Sequence, residues 1–375
     1  LTSSTPTITE GDTGSKNLSF SLTLDSAPTS DVTVSYETLT TGTATAGDDF
    51  TAGSGTVTFA AGSKVATVNV AVLGDTTYEN SGTAETVKIK FSASELTADV
   101  TATGSITEND TDPQTVAQSF TLTTGADTGS SFEGRSSAND TYDASTDGSL
   151  DTTDSLDGKG GTDTINATFL ATQSIRPTLA NIEVIQITAG DAGTDALTID
   201  TRDISGATTY TSESSDGALI LNNLSALPTI NINSATDDTT INFTDAALSD
   251  SAQTLTVNLN NYQAVGGAEF LSFTDAGGTN TLETISVVTS SIASTINDLQ
   301  TTNVGTTALN VSGDQDLTIT TALDAEIVTI SAGSLTGALS ATLGTTSAVT
   351  VTTGSGVDTI TASSTGADTI TLGAG

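Results

Sequence analysis

Val184-Ile185-Gln186-Ile187-Thr188-Ala189, Ala196-Leu197-Thr198-Ile199-Asp200 and Thr229-Ile230-Asn231-Ile232-Asn233 each carry a large apolar pair at alternate positions, Ile185 and Ile187, Leu197 and Ile199, and Ile230 and Ile232. Alternation at period two puts both on one face of a strand. The pattern persists from about residue 180 to the end, through Leu219 and Leu221, Ile241 and Phe243, Leu255 and Val257, Ile285 and Val287, Leu309 and Val311, and Val349 and Val351. Spacings between pairs are often near 11 residues and elsewhere 14 to 24. Such irregular recurrence suits the rungs of a parallel β-solenoid with loops of variable length. A row of β-sandwiches would give the same pairs, because pair periodicity alone does not separate parallel coils from hairpins. We take the solenoid as the expected fold of 171–375, with a helix predicted only over Ser291 to Leu299.

Working outward, residues 1–112 alternate more strictly. Leu18, Phe20, Leu22 and Leu24, then Val32, Val34 and Tyr36, then Val68, Val70 and Val72, then Val87 and Ile89 form short half-buried strands separated by Gly and Asp turns. This predicts an antiparallel Ig-like sandwich without a Cys–Trp–Cys core. Between them, 113–170 is dense in Asp, Gly and Ser and reads as a metal-organised connector. The expected class is therefore all-β, in three parts.

Composition narrows the function. The 375 residues hold 45 acidic and 8 basic side chains, a net charge of −37, and no Lys or Arg follows Arg202. Nucleic acid is excluded as a partner, since phosphate contacts need those cations. Anionic membrane surfaces are disfavoured for the same reason, and no apolar run reaches the 18 or so residues of a spanning helix. Self-repulsion at this charge opposes folding unless cations bind, and carboxylate and carbonyl oxygens select Ca²⁺ over softer metals. An acidic surface that merely solubilises is the competing reading. His and Cys are both absent, so a histidine general base, a thiol nucleophile and a zinc set are missing. Asp237 with Asp238, or Asp191 with Asp195, are the carboxylate pairs a polysaccharide hydrolase would need. Trp is absent and the five tyrosines are scattered, so no aromatic sugar platform accompanies them. The chain is expected not to be an enzyme.

Gly42-Thr43-Ala44-Thr45-Ala46-Gly47-Asp48-Asp49-Phe50, Gly55-Thr56-Val57-Thr58-Phe59 and Glu108-Asn109-Asp110 resemble the Calx-beta domain. That resemblance implies calcium at one end of the sandwich, with ligands at Glu10, Asp49, Asp75, Glu79, Glu108, Asp110 and Asp112. The acid-dense stretch usual after the strand ending at Leu73 is thin here, with Asp75 and Glu79 and, farther on, Glu85, which implies fewer or weaker ions.

Asp157-Gly158-Lys159-Gly160-Gly161-Thr162-Asp163-Thr164-Ile165 resembles the glycine–aspartate repeats of RTX proteins, with Lys159 replacing a glycine. Similar segments surround Asp127 and Asp140 and recur at Asp358 and Asp368, ten residues apart. In that template glycines allow tight turns while carbonyls and Asp hold calcium. The run Pro177-Thr178-Leu179-Ala180-Asn181-Ile182-Glu183-Val184-Ile185 is similar to segments of RTX-containing S-layer and surface-adhesin proteins. These resemblances imply metal ligands at Asp127, Asp140, Asp157, Asp163, Asp358 and Asp368, several calcium ions, type I secretion and a bacterial cell-surface location. They also imply a structural role, with copies of itself or surface polysaccharide as partners, as a self-assembling layer or filament subunit. The stalk of a large adhesin is the alternative. The chain stops at Leu372-Gly373-Ala374-Gly375, where another repeat would begin, so a longer parent chain is expected.

Overall fold

The computed structural model describes residues 1–375 except 80–81, 95, 97, 191–195, 251, 265–268, 276, 279, 302–303 and 345–347. Asp191 and Asp195 therefore lie outside the described residues. Two compact units emerge, Leu1–Val116 and Ala117–Gly375.

The first unit is a β-sandwich of β1 (Thr2–Ser3), β2 (Thr7–Thr9), β3 (Ser15–Thr23), β4 (Val32–Leu39), β5 (Ser54–Phe59), β6 (Val65–Leu73), β7 (Glu85–Ser92) and β8 (Val100–Thr107). One sheet orders its strands β1-β3-β6 and the other β2-β8-β7-β4-β5. Leu18, Phe20 and Leu22 of β3 and Val68, Val70 and Val72 of β6 face Val34, Val87, Ile89 and Phe91 in one buried cluster. The alternation seen in sequence thus fills a single core. One pairing departs from the antiparallel expectation: β2 runs parallel to β8, with Thr9 opposite Thr107.

The second unit is a parallel β-solenoid. Its largest sheet has twelve strands, from Ser119–Thr121 to Thr369–Thr371. Every pairing within that sheet is parallel. Smaller parallel sheets of four, six and five strands make the remaining sides. Inward residues stack in register down the coils, as in Tyr142–Ile165–Ile185–Tyr210–Ile230–Val257–Val287–Val311. Each belongs to one continuous buried core. A coil cannot bury its apolar pair alone, so neighbouring coils supply the cover. Outward residues stack too. Asn231 Nδ2 donates to Thr211 Oγ1 at 3.1 Å, and Asn258 Nδ2 donates to Asn231 Oδ1 at 2.8 Å.

Two expectations change. Residues 113–170 are not a separate connector, because strands Ser119–Thr121, Thr141–Ala144 and Thr164–Phe169 belong to the same twelve-stranded sheet as Val184–Ala189. Their few apolar residues, Phe120, Tyr142, Ile165 and Phe169, are enough because each stacks on its neighbours. Nor is Ser291–Leu299 helical. It supplies strands Ser294–Ile296 and Asp298–Gln300, with Ser294 and Ile296 opposite Leu317 and Ile319 of the next coil. Extended pairing with an existing coil outweighs a weak local helix preference.

Candidate metal centre

The parallel β2–β8 pair explains how distant acids meet. Because the two strands run side by side in the same direction, the chain leaves both at one end of the sandwich. Glu10 follows β2, and Glu108 and Asp110 follow β8. The Glu10 N–H donates to the Thr107 carbonyl at 3.2 Å, holding the two exits together. One oxygen from each of Glu10, Glu108 and Asp110 lies within 4.8 Å of the others.

A second triad, Asp49, Glu79 and Glu85, meets the same criterion. Asp49 stands in the turn before Phe50, and its carbonyl accepts the Leu73 N–H at 2.8 Å, which ties that turn to the end of β6. Glu85 opens β7 opposite Ile106 of β8. A small cavity is lined by Glu10, Glu79, Thr83, Glu85, Ile106 and Glu108, so residues of both triads share one space.

Electrostatically this end is an excess of carboxylates. Glu10 and Asp49 are buried. Among the described residues no ion pair reaches either triad. Lys16 is close by, but its Nζ donates to the carbonyls of Glu10 and Thr9, at 2.6 and 3.0 Å. Burial, a hydrogen bond with the Glu108 carboxyl and the charges of Glu108, Glu79 and Asp110 push Glu10 up to about 8. Glu79 and Glu85 are raised by burial, then by contact with Asp49 and by neighbouring acids. Asp110 is raised by burial and by Glu108, and its Oδ2 is buried with no partner among the described residues.

Glu108 runs the other way. Burial alone would raise it, but the N–H groups of Asp110, Glu79 and Asn109 donate to it and hold its carboxyl below the ordinary value. Those contacts measure 2.8, 2.7 and 2.9 Å. Acids that keep protons because no cation compensates them are the groups a divalent cation would ionise and draw together. All candidate donors are oxygens, the set preferred by hard cations. The residues therefore fit calcium.

The remaining sequence-predicted ligands lie outside the two triads and make the following contacts. Asp75 accepts the Thr77 N–H at 2.6 Å. Asp112 accepts the Gln114 N–H at 2.8 Å and caps the 3-10 turn Pro113–Thr115. In the solenoid the acids serve as acceptors for backbone amides of neighbouring coils. Asp140 accepts from Gln118, Asp163 from Asp140, Glu183 from Asp163, Asp358 from Leu339 and Asp368 from Val349, between 2.6 and 3.0 Å. Asp127 accepts from Thr123 at 2.6 Å within its own turn. Asp157 pairs with Lys159 at 2.8 Å. Asp238, one of the hydrolase candidates, accepts the Phe270 N–H at 2.7 Å, and the Asp238 N–H donates to Asp237.

Asp163 differs from the rest. Its second oxygen is fully buried and lacks a partner among the described residues, and burial raises its carboxyl to about 6. A Cβ on Gly158 would fall 2.3 Å from that oxygen and 2.1 Å from the Asn181 carbonyl oxygen, so only glycine fits there. Lys159 beside it has φ +68°, a conformation in which glycine is at ease and lysine is not.

Sequence reasoning passed over Glu85 as a ligand. Its signal was legible: in β7 the phase that buries Val87, Ile89 and Phe91 also directs Glu85 inward. An acid in the inward phase at a strand end is unexplained by packing.

The fold and this site define a modular all-β protein, an acid-ended sandwich followed in the same chain by a parallel solenoid. Residues 3–111 match the Calx-beta domain. The chain is also similar to solved structures described as CBD12 from CALX1.2 and the calcium binding domain CBD12 of CALX1.1, each at 24% identity and a TM-score of 0.24 over 32% of this chain. The match spans about half of those chains, 47% and 48%. No curated protein matches the chain. The Calx-beta match indicates calcium binding.

Proposed function

We propose that this chain is a calcium-ordered structural protein of a bacterial cell surface, exported and assembling with copies of itself into a layer or filament. The observation that carries this reading is the pair of oxygen-only acid triads around one cavity, in a chain of net charge −37 whose longer unit is a stack of repeated coils. Cations at the triads replace protons and remove repulsion that otherwise opposes packing. The orphan Asp163 oxygen beside the Gly158 turn supports a further cation in the solenoid, in keeping with the glycine–aspartate repeats there. A long parallel stack supplies length and stiffness, the properties a surface scaffold needs.

Circular dichroism, melting temperature and electron microscopy in millimolar calcium, compared with EGTA, test the reading. Calcium is expected to raise the melting temperature and to yield ordered sheets or fibres. Identical melting with and without EGTA rejects the metal, and isolated rods in calcium reject self-assembly in favour of an adhesin stalk.

A further inference from the structure

We propose that the outward face of the twelve-stranded sheet is the surface through which two copies of this chain meet. The inference rests on the self-assembly reading above and assigns it a location. Across all twelve strands the only charged side chains are Asp143 and Glu213. Both carboxylates are already engaged, Asp143 by the Ser145 N–H at 3.0 Å and Glu213 by Asn233 Nδ2 at 2.9 Å. In a chain of net charge −37, most approaches between copies juxtapose acids. This face avoids that cost, since its outward positions are almost all Thr, Ser, Asn and Gln.

Size separates it from the other sides. Twelve strands at about 4.8 Å spacing and three outward residues per strand span roughly 50 by 14 Å, about 700 Å². A standard interface buries about 800 Å² per partner. The five-stranded sheet is also uncharged but extends only about 20 Å. The six-stranded sheet carries Asp200, Asp275 and Asp298. Preorganisation adds to the case: the half-buried Asn231 is held between buried Thr211 and Asn258, so Asn231 and Asn258 are in place before any partner arrives, lowering the entropy lost on association. Two copies related by a two-fold axis bring the middle of the face against itself.

The experiment uses the full chain with calcium and reads assembly by sedimentation velocity, with circular dichroism and calorimetric calcium binding as controls. Thr256 is half-buried on a central strand of the face. Thr256→Glu is expected to raise the protein concentration needed for assembly on the order of tenfold, because like charges meet across the axis. Thr256→Lys is expected to do the same, and an equimolar mixture of the two variants is expected to recover assembly. Thr318→Glu on the five-stranded sheet is the matched control and is expected to assemble as wild type. If Thr256→Glu and Thr256→Lys each assemble at the wild-type concentration, the face is wrong while the proposed function stands. If they do so but lose retention on a neutral polysaccharide matrix, the face is overturned as a self-contact and passes to a glycan. Wild type that stays monomeric in calcium overturns both readings.

Discussion

Glu10 is a carboxyl whose surroundings favour its neutral form. Raised to about 8 against an ordinary value of 4.5, it binds a proton in the metal-free fold that it releases on unfolding at neutral pH. The folded state then holds more protons than the unfolded one, so stability falls as pH rises. The metal-free first unit is expected to lose melting temperature between about pH 4.5 and 8, and calcium is expected to stabilise it more as pH climbs through that window. A melting temperature independent of pH in EGTA would count against the raised Glu10. Glu10→Gln keeps the shape and removes the charge. It is expected to raise the melting temperature of the metal-free unit at pH 7.5 while weakening calcium binding. Thermal melts and calorimetry of the same samples check both signs. Asp49→Ala with Asp110→Ala is expected to lower calcium stoichiometry and leave the solenoid's far-UV signal unchanged. An unaltered stoichiometry would remove those two residues from the site.

At the scale of elements, the unit of stability in the second part is the contact between successive coils. Asp324 accepts both the N–H and the hydroxyl of Thr301, a fully buried residue one coil earlier. Asp324→Ala strands those donors away from water and is expected to cost about 1–3 kcal/mol. Hydrogen exchange at the Thr301 amide should accelerate by one to two orders of magnitude, while exchange in the first unit stays as in wild type. Much of this level was legible in sequence. The pairs Ile185 and Ile187, Leu255 and Val257, and Leu309 and Val311 are all buried on strands, as their alternation required. What alternation leaves open is the direction of the neighbouring strand, because a parallel and an antiparallel partner bury the same face. That is why β2–β8 came as a parallel pair, and why the meeting of Glu10 with Glu108 rested on family resemblance and not on spacing. The Asp-rich segment was misplaced as a connector for a related reason: Tyr142 and Ile165 look isolated along the chain and become a core only when stacked.

On the scale of the molecule, calcium and the coils divide the work. Both acid triads found among the described residues belong to the first unit, so chelation is expected to act there first. A ligand at one hundred times its Kd contributes about 2.7 kcal/mol per site. For a unit of 116 residues that is roughly 10 °C. Calorimetry is expected to show two transitions, of which the one belonging to the first unit moves by that amount on addition of EGTA. A single transition that does not respond to EGTA would oppose this division.

The carboxylate caps between coils mostly point one way. Gln118, Asp140, Asp163, Gln253, Thr301, Leu339 and Val349 all donate a backbone N–H to an acid later in the chain. Each of these amides therefore waits for residues that a ribosome makes after it. A polypeptide threaded through a pore carboxyl end first would lay down these seven acceptors before their donors. Threaded in the opposite sense, each of these seven amides would emerge ahead of its carboxylate and wait for the next coil to supply it.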